Sequence, residues 1–193
     1  MEQKVFTLGG AVWINLANTF VMQDNHKVDV LEEPNHVLQW LEGNGLLIGE
    51  LPEDPEMVSI HDTLVRLRYI CIDAISDLLR EGRLSERTFT RLEKKSGELV
   101  LDVRMVRQDG VPHLSHVGRS LMDRVSYAVL HSLVETVAQY PPERIRKCEH
   151  DSCILHFVDT SKSGKRRWCS MDLCGNRQKA ADFYARKKER SGS

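Results

Sequence analysis

Apolar residues at 57, 60, 64, 67, 71, 75 and 78 recur every three or four positions and trace one face of a long helix that Gly82 ends. Cys71 falls on that face and reads as an inert core thiol. A second long stretch, Leu121 to Tyr140, turns Leu121, Val125, Ala128, Val129, Ser132, Leu133 and Val137 inward and stops at Pro141-Pro142. Two shorter amphipathic helices are predicted. One has Pro34 in its first turn, buries Val37, Leu38, Trp40 and Leu41, and stops at Gly43 or Gly45. The other runs from Ser85 to Ser96-Gly97, and Pro52 and Pro55 mark the turn before the long helix. Near the start, Val12, Trp13, Leu16 and Phe20 keep helical spacing, so residues 5–23 read as a buried helix opened at Gly9-Gly10. From Glu98 the period changes to two, and Leu99, Leu101, Val103 and Met105 alternate up to Gln108-Asp109-Gly110. Val111 to Val117 returns, which makes a β-hairpin. His113 and His116, three apart on that arm, face opposite sides and do not pair as metal ligands.

The last quarter breaks the pattern with chemistry. Cys148 and Cys153 are separated by four residues, Cys169 and Cys174 by four, and fifteen residues lie between the pairs. Paired cysteines on two short loops suit one tetrahedral zinc ion held by four thiolates. A closed sphere of this kind is structural, because a catalytic zinc keeps a position open for water. His150 and His156 are the nearby alternatives for a ligand place. Between the pairs, Ile154 to Val158 reads as an apolar strand, Ser163-Gly164 as a turn and Lys165 to Trp168 as a basic return arm. After Cys174 a helix is expected to about Lys188, with Leu173, Ala180, Phe183 and Tyr184 as its apolar stripe.

Composition adds compartment and polarity. Hydrophobic residues make up 41% and charged residues 28%, as in soluble globular proteins, and no apolar run is long enough to span a membrane. Met1-Glu2-Gln3-Lys4 has no apolar segment behind it of the kind a secretory signal needs, so a cytoplasmic protein is expected, where reduced thiols favour metal over disulfides. The net charge of −1 hides an asymmetry: residues 1–140 carry 14 Lys+Arg against 21 Asp+Glu, and residues 141–193 carry 13 against 7. A basic tail on an acidic body points to nucleic acid as the tail's partner. Lys165, Arg166, Arg167, Lys179, Arg186 and Lys187 suit phosphate, and Asn176 and Arg177 at a helix start suit base edges or backbone. Asn15, Asn18 and Thr19 are polar groups in an apolar helix, satisfied either inside the core or by a small-molecule effector in a pocket.

The string Arg166-Arg167-Trp168-Cys169-Ser-Met-Asp-Leu-Cys174-Gly175-Asn176-Arg177, with Phe157-Val158-Asp159-Thr160-Ser161 before it, resembles the CGNR zinc-finger signature. Leu8-Gly9-Gly10 running into Leu16-Ala17-Asn18-Thr19, and Pro34 to Leu41 around Trp40, resemble the ABATE domain that precedes this finger. His156 departs mildly from the apolar strand of that family and leaves the zinc count unaffected. The resemblance implies a stress-induced bacterial transcriptional regulator whose finger binds DNA and whose preceding domain senses a small molecule.

The expected fold is α+β: a mainly helical N-terminal domain with one β-hairpin, residues 1–142, then a small treble-clef-like zinc finger, residues 143–193. A linker this short docks the two units. One structural Zn²⁺ is the expected cofactor, and loss of it is expected to unfold the tail while sparing the body. DNA is the expected partner, and a homodimer fits the two-fold symmetry with which such proteins read paired half-sites. An RNA-binding or ribosome-associated accessory role uses the same basic surface. An enzyme with its site around Asn15, Asn18 and Thr19 is disfavoured, because the chain has no nucleophile elbow, phosphate-binding glycine loop or open metal motif.

Overall fold

The computed structural model describes residues 6–47 and 53–191; Met1 to Val5, Ile48 to Pro52, Gly192 and Ser193 lie outside them. Three helices, α1 (Val12–Ala17), α3 (Asp54–Glu81) and α5 (Leu121–Gln139), pack on one another, and α2 (Pro34–Gly43) and α4 (Glu86–Gly97) complete the helical body. Local chemistry fixes these helices much as the sequence pattern implies. Pro34 stands in the first turn of α2, and Gly82 ends α3 in the left-handed conformation at φ 69°. Ser85 caps α4, and Ser120 and Asp123 form a capping box on α5. The core centres on Trp13, Ile14, Leu16, Trp40, Leu41, Ile60, Leu64 and Leu67, all fully buried. Of the residues expected to face inward, Leu38, Ala128 and Ser132 are only half-buried and Val137 is exposed, because α5 turns its Val134–Val137 side away from α1 and α3. No helix among the described residues is long and apolar enough to cross a membrane.

The helix expected over residues 5–23 is much shorter. It stops at Ala17, and the chain continues as a tight hairpin of β1 (Phe20–Gln23) and β2 (His26–Asp29). Asp24 and Asn25 both adopt positive φ, 49° and 63°, the conformation a two-residue turn demands. The hairpin brings Asp29 to Arg68 on α3. That guanidinium is 1% exposed, meets both carboxylate oxygens at 2.5 and 2.6 Å, and stacks over Phe20. The hairpin expected after Glu98 forms: β3 (Leu101–Gln108) pairs with β4 (Val111–Gly118) around Asp109-Gly110.

The C-terminal segment differs in its pairing. β6 (His156–Val158) does not pair with the arm from Lys165 to Trp168, which forms no strand. It pairs with β5 (Ile145–Lys147), a strand before the first cysteine, so Cys148 to Cys153 closes the hairpin. A π-helical turn, Met171–Gly175, then leads into α6 (Asn176–Ser191). Ile145, Leu155, Phe157 and Val158 belong to the same buried cluster as the core of the body.

Candidate metal centre and its cationic surround

Two turns bring the four cysteines together. The turn closing β5–β6 holds Cys148 and Cys153, with the Cys153 amide donating to the His150 carbonyl at 2.9 Å. The π-helical turn holds Cys174, and Cys169 stands just before its cap, Ser170. All four Sγ atoms lie within 4.8 Å of one another. Cys153 to Cys169 is 3.8 Å and Cys169 to Cys174 is 3.6 Å. A zinc–sulfur bond of about 2.3 Å gives tetrahedral sulfur–sulfur edges of about 3.8 Å, so the set fits one zinc ion. The Cys169 amide also points at the Cys148 sulfur, at 3.4 Å. His150 is outside the set: its Nδ1 accepts the Ser152 amide at 3.3 Å and lies 3.1 Å from the Ser152 hydroxyl. Four thiolates close the sphere, and zinc bound there is structural.

Thiol chemistry in the metal-free cluster is unequal. The hydrogen bond from Cys169 holds Cys153 at about 5, against the opposing effect of burial. Cys169 is pushed up, first by that same bond and then by burial, and burial with the Cys153 charge pushes Cys174 to about 12. At neutral pH Cys169 and Cys174 therefore keep their protons until metal displaces them. Zinc binding at pH 7 is expected to release protons, those of Cys169 and Cys174 among them, seen as a binding enthalpy that changes with the ionisation enthalpy of the buffer. A buffer-independent enthalpy would show that the thiols are already ionised.

Asp159 organises the loop between the pairs. Its carboxylate is fully buried and accepts the Ser161 hydroxyl at 2.5 Å, the Ser161 amide at 3.0 Å and the Arg166 amide at 2.9 Å. Burial alone would raise this carboxyl. The Ser161 hydroxyl, the two amides and the Arg144 charge outweigh burial and hold it below the ordinary range. Arg144 completes the loop by donating to the Asp159 and Ser161 carbonyls at 3.0 and 2.6 Å. Gly175 closes the other side: a Cβ there would come within 2.5 Å of the Met171 sulfur and 2.9 Å of the Trp168 ring.

Residues 144–187 match the CGNR zinc finger. No curated protein matches the chain. The match spans β5, both cysteine pairs and most of α6, so the family's pattern and the sulfur cluster coincide.

Asn18 ties the body to the CGNR finger. Its amide donates to the His156 carbonyl at 2.8 Å and its carbonyl accepts the His156 amide at 2.9 Å, so the side chain pairs with β6 as another strand would. The Val158 amide adds a bond to the Gly9 carbonyl at 2.9 Å. Asn15 accepts the Gly9 amide and donates to Asn44, and Thr19 donates to Leu16 and accepts from Arg68. Asn15, Asn18 and Thr19 are thus hydrogen-bonded within the protein.

The finger's cations divide into two groups. Arg166 turns inward, donating to the Trp168 and Cys169 carbonyls with its guanidinium over the Phe157 ring. Arg167 pairs with Glu149 at 2.5 Å and lies over Trp168. Lys165, Arg177, Lys179 and Arg186 are exposed, and among the described residues none of them forms an ion pair. Lys187 is exposed on the same helix, and Asn176 donates back to the Asp172 carbonyl at 3.3 Å. Sequence reasoning missed Arg144 and Asp159, whose roles depend on where the loop folds back.

Proposed function

We propose that the chain is a zinc-dependent DNA-binding transcriptional regulator of the bacterial cytoplasm. The CGNR finger, a treble-clef-like unit over residues 143–193, makes the DNA contact. The helical part, residues 1–142, is ABATE-like and senses a small molecule. The observation that carries this reading is the set of exposed cations Lys165, Arg177, Lys179 and Arg186, without acidic partners among the described residues, around a metal-clamped core. Arg177 and Lys179 lie in the first turn of α6, directly after the ligand Cys174, so zinc binding fixes where these charges stand. An effector has a seat where the two parts meet. A cleft of about 420 Å³ there is lined by Phe20, Lys27, Ile72, Ile75, Ile154 and His156. Burial of the His156 ring, with the Lys147 charge second, lowers its pKa to about 4, so at neutral pH Lys27 is the cation lining this cleft.

Reversing Arg177, Lys179 and Arg186 to glutamate is expected to weaken binding to random duplex DNA. It is also expected to flatten the salt dependence by about 0.9 in log–log slope for each phosphate that the finger no longer neutralises. An unchanged slope in an electrophoretic shift series would place the DNA-binding surface elsewhere. One observation favours RNA as a second reading. Phe183 and Tyr184 are 58% and 67% exposed on α6, edge to face at 5.6 Å, and exposed aromatic rings stack on unpaired bases. Tighter binding to single-stranded or structured RNA than to duplex DNA in the same assay would select it.

A further inference from the structure

The β3–β4 hairpin stands apart from the rest of the molecule in its exposure. It forms a two-stranded sheet of its own, and its side chains are exposed on both faces along most of its length. On one face Val103, Met105 and Leu114 are 59%, 76% and 65% exposed. Met105 and Leu114 are cross-strand partners, and Val103 is paired with His116. An isolated two-stranded ribbon is marginal in water, and a long open edge beside apolar side chains invites a further strand.

We propose that the chain forms a two-fold homodimer by antiparallel pairing of β3 with β3 of a second copy, centred on Val103. The choice of edge follows from the hairpin itself. β4 packs against α5 and contains Pro112, which has no amide to donate, whereas β3 contains no proline and forms the other edge. The choice of register follows from charge. Two-fold pairing about an axis normal to the sheet must set one residue opposite its own copy. With Val103 at that point, Asp102 faces Arg104 of the second copy twice, and Leu101 faces Met105 twice. Each Met105 then lies between Leu114 of its own hairpin and Leu101 of the second. Centring on Asp102 or Arg104 would oppose like charges, and centring on Met105 would set Val103 against Arg107. Opposite charges meet only in the Val103 register. The guanidinium of Arg104 is 64% exposed and lies 3.9 Å from Asp102 of its own strand, which leaves its donors free for the second copy.

The test uses the full zinc-loaded chain in sedimentation equilibrium and light scattering. The wild type is expected at twice the 22.1 kDa of the chain. Asp102→Arg and Arg104→Asp, each alone, place like charges opposite one another and are expected to weaken the dimer about tenfold. The combined variant restores both pairs and is expected to recover most of the affinity. Asp102 also pairs with Arg119 at 2.9 Å. That bond is absent from Asp102→Arg and from the combined variant alike, so recovery of the second relative to the first cannot come from it. A wild type that stays monomeric throughout the micromolar range overturns the proposal. A dimer indifferent to both single variants overturns it too and places the interface elsewhere, as does failure of the combined variant to recover.

Discussion

Cys169→Ser, or removal of zinc with a chelator, is expected to unfold the finger and to lower the thermal midpoint of the helical body with it. Apparent zinc-binding energies in finger peptides are about 10–16 kcal/mol, comparable with the whole stability of a small domain, so the finger does not stand without metal. The sequence alone led to the expectation that the body would be spared. The structure changes this, because Leu155, Phe157 and Val158 share one buried cluster with Trp13, Leu16 and Ile75. When β6 leaves, part of that cluster meets water. The measurement is a far-ultraviolet melt of the full chain with and without chelator, followed by limited proteolysis around residue 142. A body midpoint that ignores the metal would show that the finger rests on the body without supporting it.

Asn18→Ala is expected to cost about 3 kcal/mol, from two main-chain groups of His156 left unpaired at the joint and the space the side chain vacates. Asn18 is 4% exposed, so water does not readily replace its amide. The midpoint of urea unfolding measures the loss, and faster hydrogen exchange at the His156 amide places it at the joint. Asn18→Asp separates bonding from packing. It keeps the shape and the acceptor for the His156 amide but sets a carboxylate oxygen against the His156 carbonyl. A variant as stable as the wild type would show that the joint is held by apolar packing and the Gly9–Val158 bond instead.

What could be read in the chain without coordinates follows from locality. α2, α3, α4, α5 and the β3–β4 hairpin each carry their own period, cap and stop, and the cysteine spacing carries the metal. β1–β2 was hidden because Phe20 continues the spacing of Val12, Trp13 and Leu16, and because Asp24-Asn25 lacks the glycine that announces such turns. The partner of β6 was hidden for a different reason. Ser163-Gly164 is a real turn, with Gly164 at φ 64°, and it invites a local hairpin. Asp159, however, uses its carboxylate to fold that arm into a loop, and β6 pairs across the knuckle. Arg68 gave no signal, since one arginine on a helix face does not reveal that it is buried against a carboxylate 39 residues away in sequence. Arg166 looked like any other basic residue, and its inward bonds depend on where Phe157 and Cys169 come to lie.

The Asn18–His156 pair also bears on the order of events during synthesis. It joins residues 138 apart in sequence, whereas α3 and α4 close over the short Gly82–Ser85 loop and α4 and α5 over the β3–β4 hairpin. Ordering a pair this distant must follow the local ones, since the intervening chain has first to be shortened by its own folding. On a ribosome the N-terminal hairpin and helices emerge long before β6 exists, so Asn18 waits with its amide unfilled. Metal capture and closure of the joint then fall together once Cys174 has emerged, and supply of zinc at that moment decides whether Asn18 finds its partner or the joint is left open.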